Sequence, residues 1–197
     1  VETIEKAPSA SFCVVVAGCA VAASGAVLQT AGVTVPPGAE SLALVPSSLG
    51  NRPVLLVCGH RARGLMYAVL ELVERCEFAD DPLASLAPSR PLVEQPFNLV
   101  RAIGRPFVSD VEDKAWFDDR EFWPAYFGML ARQRFNRFHL TLGMGYDTLR
   151  WVKDAYLLFA YPFLVSVPGH RVRAVGLPDA ERDRNLETLR FIIHEAV

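Results

Sequence analysis

Apolar positions in the first half of the chain fall into short dense runs separated by Gly, Pro and Ser. Residues 12–17 (FCVVVA), 41–45 (SLALV) and 54–58 (VLLVC) are such runs and predict strands. Val35-Pro36-Pro37-Gly38 and residues 47–51 carry turn chemistry. After Cys58-Gly59 the period changes. Over residues 63–75, Leu65, Val69, Leu72 and Val73, with Cys76 just beyond, recur at helical spacing. Gly64, near the start of this predicted helix, lets strand and helix approach without a Cβ clash. A small sheet with a packed helix follows from the pattern.

Residues 80–95 break the rhythm. Pro82, Pro88, Pro91 and then Pro96 remove donors and fix φ, which predicts a linker or irregular crossing segment, with a domain boundary near Pro96. Beyond it strands and helices alternate. Residues 98–103 (NLVRAI) and 136–142 (NRFHLTL) predict strands. Asp118 or Asp119 is placed to cap a helix with Phe122, Tyr126, Met129 and Leu130 on one face. A second helix is expected over 147–159, with Leu149, Val152 and Tyr156 in phase. A proline-containing excursion fills 162–175. Asp179 then caps a helix over 180–197 that buries Leu186, Leu189 and Ile193.

This order predicts parallel βαβ wiring and an α/β fold class. A full (β/α) barrel needs about 250 residues. The expectation is therefore a small α/β sandwich-like domain over 1–95, then the first units of an incomplete parallel (β/α) barrel over 96–197. Val1 at one end and a helical pattern running to Val197 at the other read as cut ends. Apolar surface left open by such a truncation predicts self-association.

Composition narrows the classes. A 51% hydrophobic and 21% charged chain of 197 residues is globular rather than disordered. Its 20 basic and 22 acidic residues are mixed, with no basic stripe, so nucleic acid is not an expected partner. No apolar run reaches the roughly 18–20 residues of a membrane helix, so no membrane partner is expected. Residues 13–27 come nearest, but Gly18, Ser24 and Gly25 interrupt them, and a strand and turn explains them better. Cys13, Cys19, Cys58 and Cys76 show no CxxC spacing and read as buried free thiols, which leaves the compartment open. No cofactor or metal is implied.

Two segments carry a resemblance. LLVCGHRARGLMYAVLELVER (55–75) resembles the end of the small α/β domain that precedes the barrel in β-N-acetylhexosaminidases and α-glucuronidases, with Arg63, Gly64 and Tyr67 in matching places. ARQRFNRFHLTLG (131–143) is similar to the second barrel strand of those enzymes, with Asn136 and His139 matching. Arg101 stands where the hexosaminidase-type first strand carries a sugar-binding arginine. The sequence also departs from that pattern. Thr141 replaces the second histidine of the strand, and no Asp-Asp pair follows. The resemblance thus implies a glycoside hydrolase without implying an N-acetylhexosamine substrate.

Glycoside hydrolysis ordinarily uses two carboxyl groups about 5–5.5 Å apart for retention or about 6.5–9.5 Å for inversion. Asp110, Glu112 and Asp113 follow the first predicted strand and Asp147 the second, but they read as loop acids and helix-entry charges. The catalytic carboxylates are expected beyond Val197. For binding, Arg101 and Arg105 offer planar donor forks suited to hydroxyls or a sugar carboxylate, against the alternative of structural ion pairs at the barrel rim. His139 is a hydroxyl partner if it faces the barrel mouth, and otherwise a satisfied core residue. Tyr146 and Tyr161, in predicted loops, offer rings for sugar stacking, whereas Trp123 and Tyr126 read as packing.

Gly143-Met144-Gly145 lacks the third glycine of a dinucleotide fingerprint, His60, His170 and His194 are scattered, and no nucleophile elbow or P-loop is present. The expected function is the N-terminal part of a glycoside hydrolase acting on an oligo- or polysaccharide, with carbohydrate as partner. The alternatives are a non-catalytic carbohydrate-binding or scaffold protein of the same ancestry, and a small nucleotide-binding α/β protein.

Overall fold

The computed structural model describes residues 12–107, 110–142, 163–166, 168–170 and 177–197. The fold is mixed α/β, and the chain forms two compact units, Val1–Leu99 and Val100–Val197.

In the first unit the elements run β1 (Cys13–Gly18), α1 (Ala22–Thr30), β2 (Leu42–Leu49), β3 (Arg52–Gly59), α2 (Arg61–Glu77), a 3-10 turn (Ala84–Leu86) and β4 (Leu92–Glu94). They build one sheet in the order β1-β3-β2-β4, with β1 parallel to β3 and the other pairs antiparallel. Val54 to Cys58 of the interior strand β3 are all at most 1% exposed, which explains why this run is apolar on both faces. On one face Leu42, Leu44, Leu55 and Val57 pack under Tyr67 and Ala68 of α2. On the other, Ala43, Val45, Leu56 and Cys58 pack under Val27 of α1. Leu49 pairs with Arg52 across a two-residue hairpin turn, where Gly50 at φ 59° supplies the left-handed backbone such a turn demands.

Two expectations change here. The segment read as a strand and turn continues into α1, because packing of Val27 and Ser24 outweighs the breakers that Ser24 and Gly25 represent. The segment read as a linker holds β4, whose Leu92 pairs with Leu44 and gives the outer edge of β2 its hydrogen-bond partners. The buried stripe of α2 is also rotated: Gly64, Tyr67 and Ala68 face the sheet, while Met66, Val69 and Val73 are exposed.

In the second unit β5 (Ala102–Phe107) leads through α3 (Asp110–Asp118) and α4 (Phe122–Arg132) to β6 (Arg137–Leu142), and α5 (Asp179–Glu195) follows. β5 and β6 pair in parallel from Ala102↔Arg137 to Phe107↔Leu142. Among the described residues this sheet has two strands and closes no barrel. Its core gathers Phe107, Phe117, Trp123, Phe163 and Ile192, with Phe138, Leu140 and Leu142 packed against them. Inside it Trp123 Nε1 donates to the Phe117 carbonyl at 3.0 Å, so the indole is buried without a lost hydrogen bond. Lys114 of α3 pairs with Glu181 of α5.

The N-cap of α4 is Glu121 rather than Asp118 or Asp119, and Asp119, two residues before it, accepts from the backbone N–H groups of Glu121 and Phe122 at 2.8 and 3.0 Å. The expected strand over 98–103 lies four residues later along the chain, at 102–107. Asp110, Glu112 and Asp113 lie in the first turn of helix α3, as helix-entry residues rather than loop acids. The buried face of α5 consists of Asn185, Thr188 and Ile192, while Ile193 is exposed. Asn185 Nδ2 donates to the Phe163 carbonyl at 3.2 Å, which fixes that rotation of the helix. The helix expected over 147–159 lies outside the described residues.

Candidate functional site

The two-residue period of a strand sorts the β5–β6 pair into two faces. Ile103, Arg105 and Phe107 stand beside Phe138, Leu140 and Leu142, and this face meets the helices. The opposite face presents Ala102, Gly104 and Pro106 beside Arg137, His139 and Thr141; all are exposed except the half-buried Thr141. His139 lies opposite Gly104, where a Cβ would meet nothing nearer than the His139 carbonyl oxygen at 3.8 Å. The imidazole therefore has a bare backbone shelf beside it. Thr141 follows on the same face, about 7 Å nearer the carboxyl end of the strand. An imidazole, a hydroxyl and the apolar ring of Pro106 offer hydrogen-bonding and C–H contact surface together.

Arg105 faces the other way. Its guanidinium carbon lies 4.2 Å from the Trp116 ring centroid and 5.4 Å from that of Phe122. Trp116 is itself held by Asp113, which accepts from the indole Nε1 at 2.8 Å. The Nε of Arg105 is buried and makes no hydrogen bond among the described residues. Arg105 is thus part of the layer between sheet and helices.

Arg101 sits at the amino end of β5, about 13 Å along the strand from Arg105. Its backbone N–H donates to Asn136 Oδ1 at 2.9 Å and its Nε to the Arg134 carbonyl at 2.6 Å. In return the backbone N–H of Asn136 donates to the Arg101 carbonyl at 3.0 Å. Arg134 takes a left-handed φ of 63° just past the end of α4. Asn136 and Arg101 together set where the two parallel strands begin.

The expected set is therefore not one cluster. Arg101 is at the opposite end of the strand from the carboxyl edge, Arg105 is on the helix-facing side, and His139 is on the open side. Tyr146 and Tyr161 lie outside the described residues, as does Asp147. Thr141 and Gly104 contribute to the open face without having been singled out from sequence as binding residues; strict alternation from His139 is the signal for Thr141, while the pairing register places Gly104. Among the described residues no group of three or more His, Cys, Asp or Glu side chains is placed to hold a metal ion, and no helix is long and apolar enough to cross a membrane.

No protein-family model matches the chain, and no curated protein matches it. Seven chains of solved structures do. One is described as a GH138 enzyme targeting pectin rhamnogalacturonan II, with 20% identity and a TM-score of 0.52 over 80% of this chain. The likeness is one of fold, shared with part of that enzyme. The chain spans 17% of the length of that enzyme. That likeness does not single out the hexosaminidase or α-glucuronidase type.

Proposed function

We propose that this chain is part of a carbohydrate-active enzyme that hydrolyses a glycosidic bond in an oligo- or polysaccharide. In this reading residues 1–95 form the small α/β domain, and residues 96–197 supply the first two βα units of a (β/α) barrel. The observation that carries it is the parallel β5–β6 pair, covered by helices on one face and lined on the other by Gly104, Pro106, His139 and Thr141. Strands of a catalytic barrel have this sidedness, with substrate met at their carboxyl ends.

His139 and Thr141 then contact sugar hydroxyls from the barrel wall, and the rings of Tyr146 and Tyr161 add stacking surface. Arg101 and Arg105 serve by holding strand and helix in place. The two carboxyl groups of the reaction come from further strands of the complete protein. The fold relative is described as targeting rhamnogalacturonan II, so pectic polysaccharides are the first substrates to try.

The test is the product of the complete coding sequence, incubated with rhamnogalacturonan II and a panel of pectic and hemicellulosic oligosaccharides, with released sugars followed by mass spectrometry. Cleavage is the expected result. Binding without cleavage would instead favour the carbohydrate-binding scaffold, and neither binding nor cleavage across the panel would overturn both.

A further inference from the structure

Helix α2 is apolar on two sides. Gly64, Tyr67 and Ala68 are buried against the sheet. On the side turned away from it, Ala62, Met66, Val69, Val73 and Cys76 follow one another at spacings of four, three, four and three residues. At about 100° per residue these five form one stripe roughly opposite the buried one. Met66, Val69 and Val73 are 41%, 37% and 40% exposed, Ala62 is exposed and Cys76 is half-buried. A helix that covers a sheet ordinarily turns charged or polar residues outward. The four-three repeat is instead the seam along which two helices pack.

We infer that this stripe is the interface of a homodimer, in which α2 pairs with α2 of a second copy, antiparallel about a two-fold axis. Charge selects both the occupant and its direction. One flank of the stripe carries Arg63, Leu70 and Glu77, each seven residues after the last. Arg63 is in the first turn of α2 and Glu77 is its final residue, so each has the wrong sign for the helix dipole at its own end. In an antiparallel pair each flank faces its own symmetry mate. Leu70 then meets its equivalent near the axis, and Arg63 of each copy meets Glu77 of the partner subunit. A parallel pair would lay this flank against the Leu65 and Leu72 flank, where neither charge meets an opposite one across the interface. Arg63 Nη1 also holds Glu40 at 3.0 Å, and the five donors of a guanidinium allow a second carboxylate.

Such a contact uses one patch on both partners, so association stops at two. A single helix seam is short against the roughly 800 Å² per partner of a standard interface. The dimer is therefore weak, with a dissociation constant on the order of 10 µM. It uses none of the residues placed in the carbohydrate site, and so stands apart from the function proposed above.

The test is sedimentation velocity of the full chain from about 1 µM to about 200 µM, a range that brackets the expected constant. A monomer–dimer equilibrium with no larger species is expected. Val69→Arg, at an exposed position, should keep the wild-type melting temperature and weaken dimerisation by about 100-fold or more, since it sets two charges into the seam. Arg63→Glu and Glu77→Arg should each weaken it about tenfold, by placing like charges across the axis. An equimolar mixture of these two variants should recover wild-type affinity to within about threefold, because both contacts become Glu–Arg again. Mixing repairs a lost partner and leaves a damaged fold unrepaired. Monomer throughout the range overturns the inference. So does a dimer that Val69→Arg leaves intact, which puts the contact elsewhere, or open-ended association, which a two-fold contact does not give. Single variants that weaken the dimer without recovery on mixing overturn the antiparallel pairing. A dimer of this chain that is absent from the product of the complete coding sequence assigns the stripe to another part of the same polypeptide and overturns it as well. If Arg63→Glu fails to fold without its Glu40 pair, Val69→Arg and the wild-type titration still decide.

Discussion

Gly59 and Gly64 meet across the turn between β3 and α2, so closely that a Cβ on Gly59 would stand 2.1 Å from the Gly64 carbonyl carbon. A Cβ on Gly64 would in turn stand 2.6 Å from the Ser41 carbonyl oxygen. The start of helix α2 is thereby held against the ends of β2 and β3 by close backbone contacts. Arg63 and Glu40 close the flank of this joint with an ion pair of 3.0 Å.

Adding a methyl group there has no flexible neighbour to displace. Gly59→Ala is expected to destabilise the protein by about 3 kcal/mol or more. Gly25 in α1 has nothing within 4 Å of its would-be Cβ, so Gly25→Ala should stabilise by about 0.5–1 kcal/mol. Urea unfolding of both variants checks the contrast, and equal effects would refute the joint.

The strand start rests on Asn136. Asn136→Ala removes the acceptor of the Arg101 N–H and should cost about 1–2 kcal/mol. The same measurement on Arg101→Ala should give a loss of similar size, because its Nε holds the Arg134 carbonyl. A variant at Arg101 with unchanged stability would return that residue to the list of ligand contacts.

His139 is exposed and lies over a bare glycine. His139→Ala should leave stability within about 0.5 kcal/mol of wild type. On the proposed reading it should also weaken oligosaccharide affinity by about tenfold, the loss of one or two hydrogen bonds. Isothermal titration reads the second effect; unchanged affinity would remove His139 from the site.

Trp123 supplies both ring packing and a donor to the Phe117 carbonyl. Trp123→Phe keeps much of the packing but orphans that carbonyl, and should cost about 2 kcal/mol. Thermal unfolding that shows no loss would mean the carbonyl finds another partner.

Alkaline stability should respond to Cys58. Its thiol is raised to about 12 in the fold, while in the unfolded chain it ionises near about 8.5. Between those values the unfolded state has given up the proton and the folded state has kept it, so stability falls as pH rises through that window. Cys58→Ala should flatten the fall between about pH 9 and 11 in denaturant titrations under reducing conditions. An unchanged slope would contradict the assignment.

Segments with one dominant signal were legible. Residues 54–58 read as a strand because five consecutive apolar side chains leave no polar face, and the structure extends that strand only to Arg52–Gly59. Residues 136–142 were legible too, and the structure makes Arg137–Leu142 a strand. Helix α1 was not, because AASGAVLQT has no apolar stripe of its own and depends on the sheet beneath it. Nor was β4, a three-residue strand whose formation is decided by the free edge of β2. In β5, Arg105 and Pro106 obscured the strand that their neighbours form.

The sequence by itself determined the α/β class, the parallel wiring after Pro96, and the tight turn at Gly64, since each follows from local period and local sterics. Tertiary structure decided which way each face turned. Helix α2 offers two apolar stripes, and contact of Gly64 with Ser41 selects the one that is buried. Helix α5 turns Asn185 inward because the Phe163 carbonyl needs a donor there. Arg105 and His139 stand on opposite sides of the sheet because Gly104, one residue before Arg105, is the partner of His139. Pairing register is a long-range property, and no window of sequence contains it.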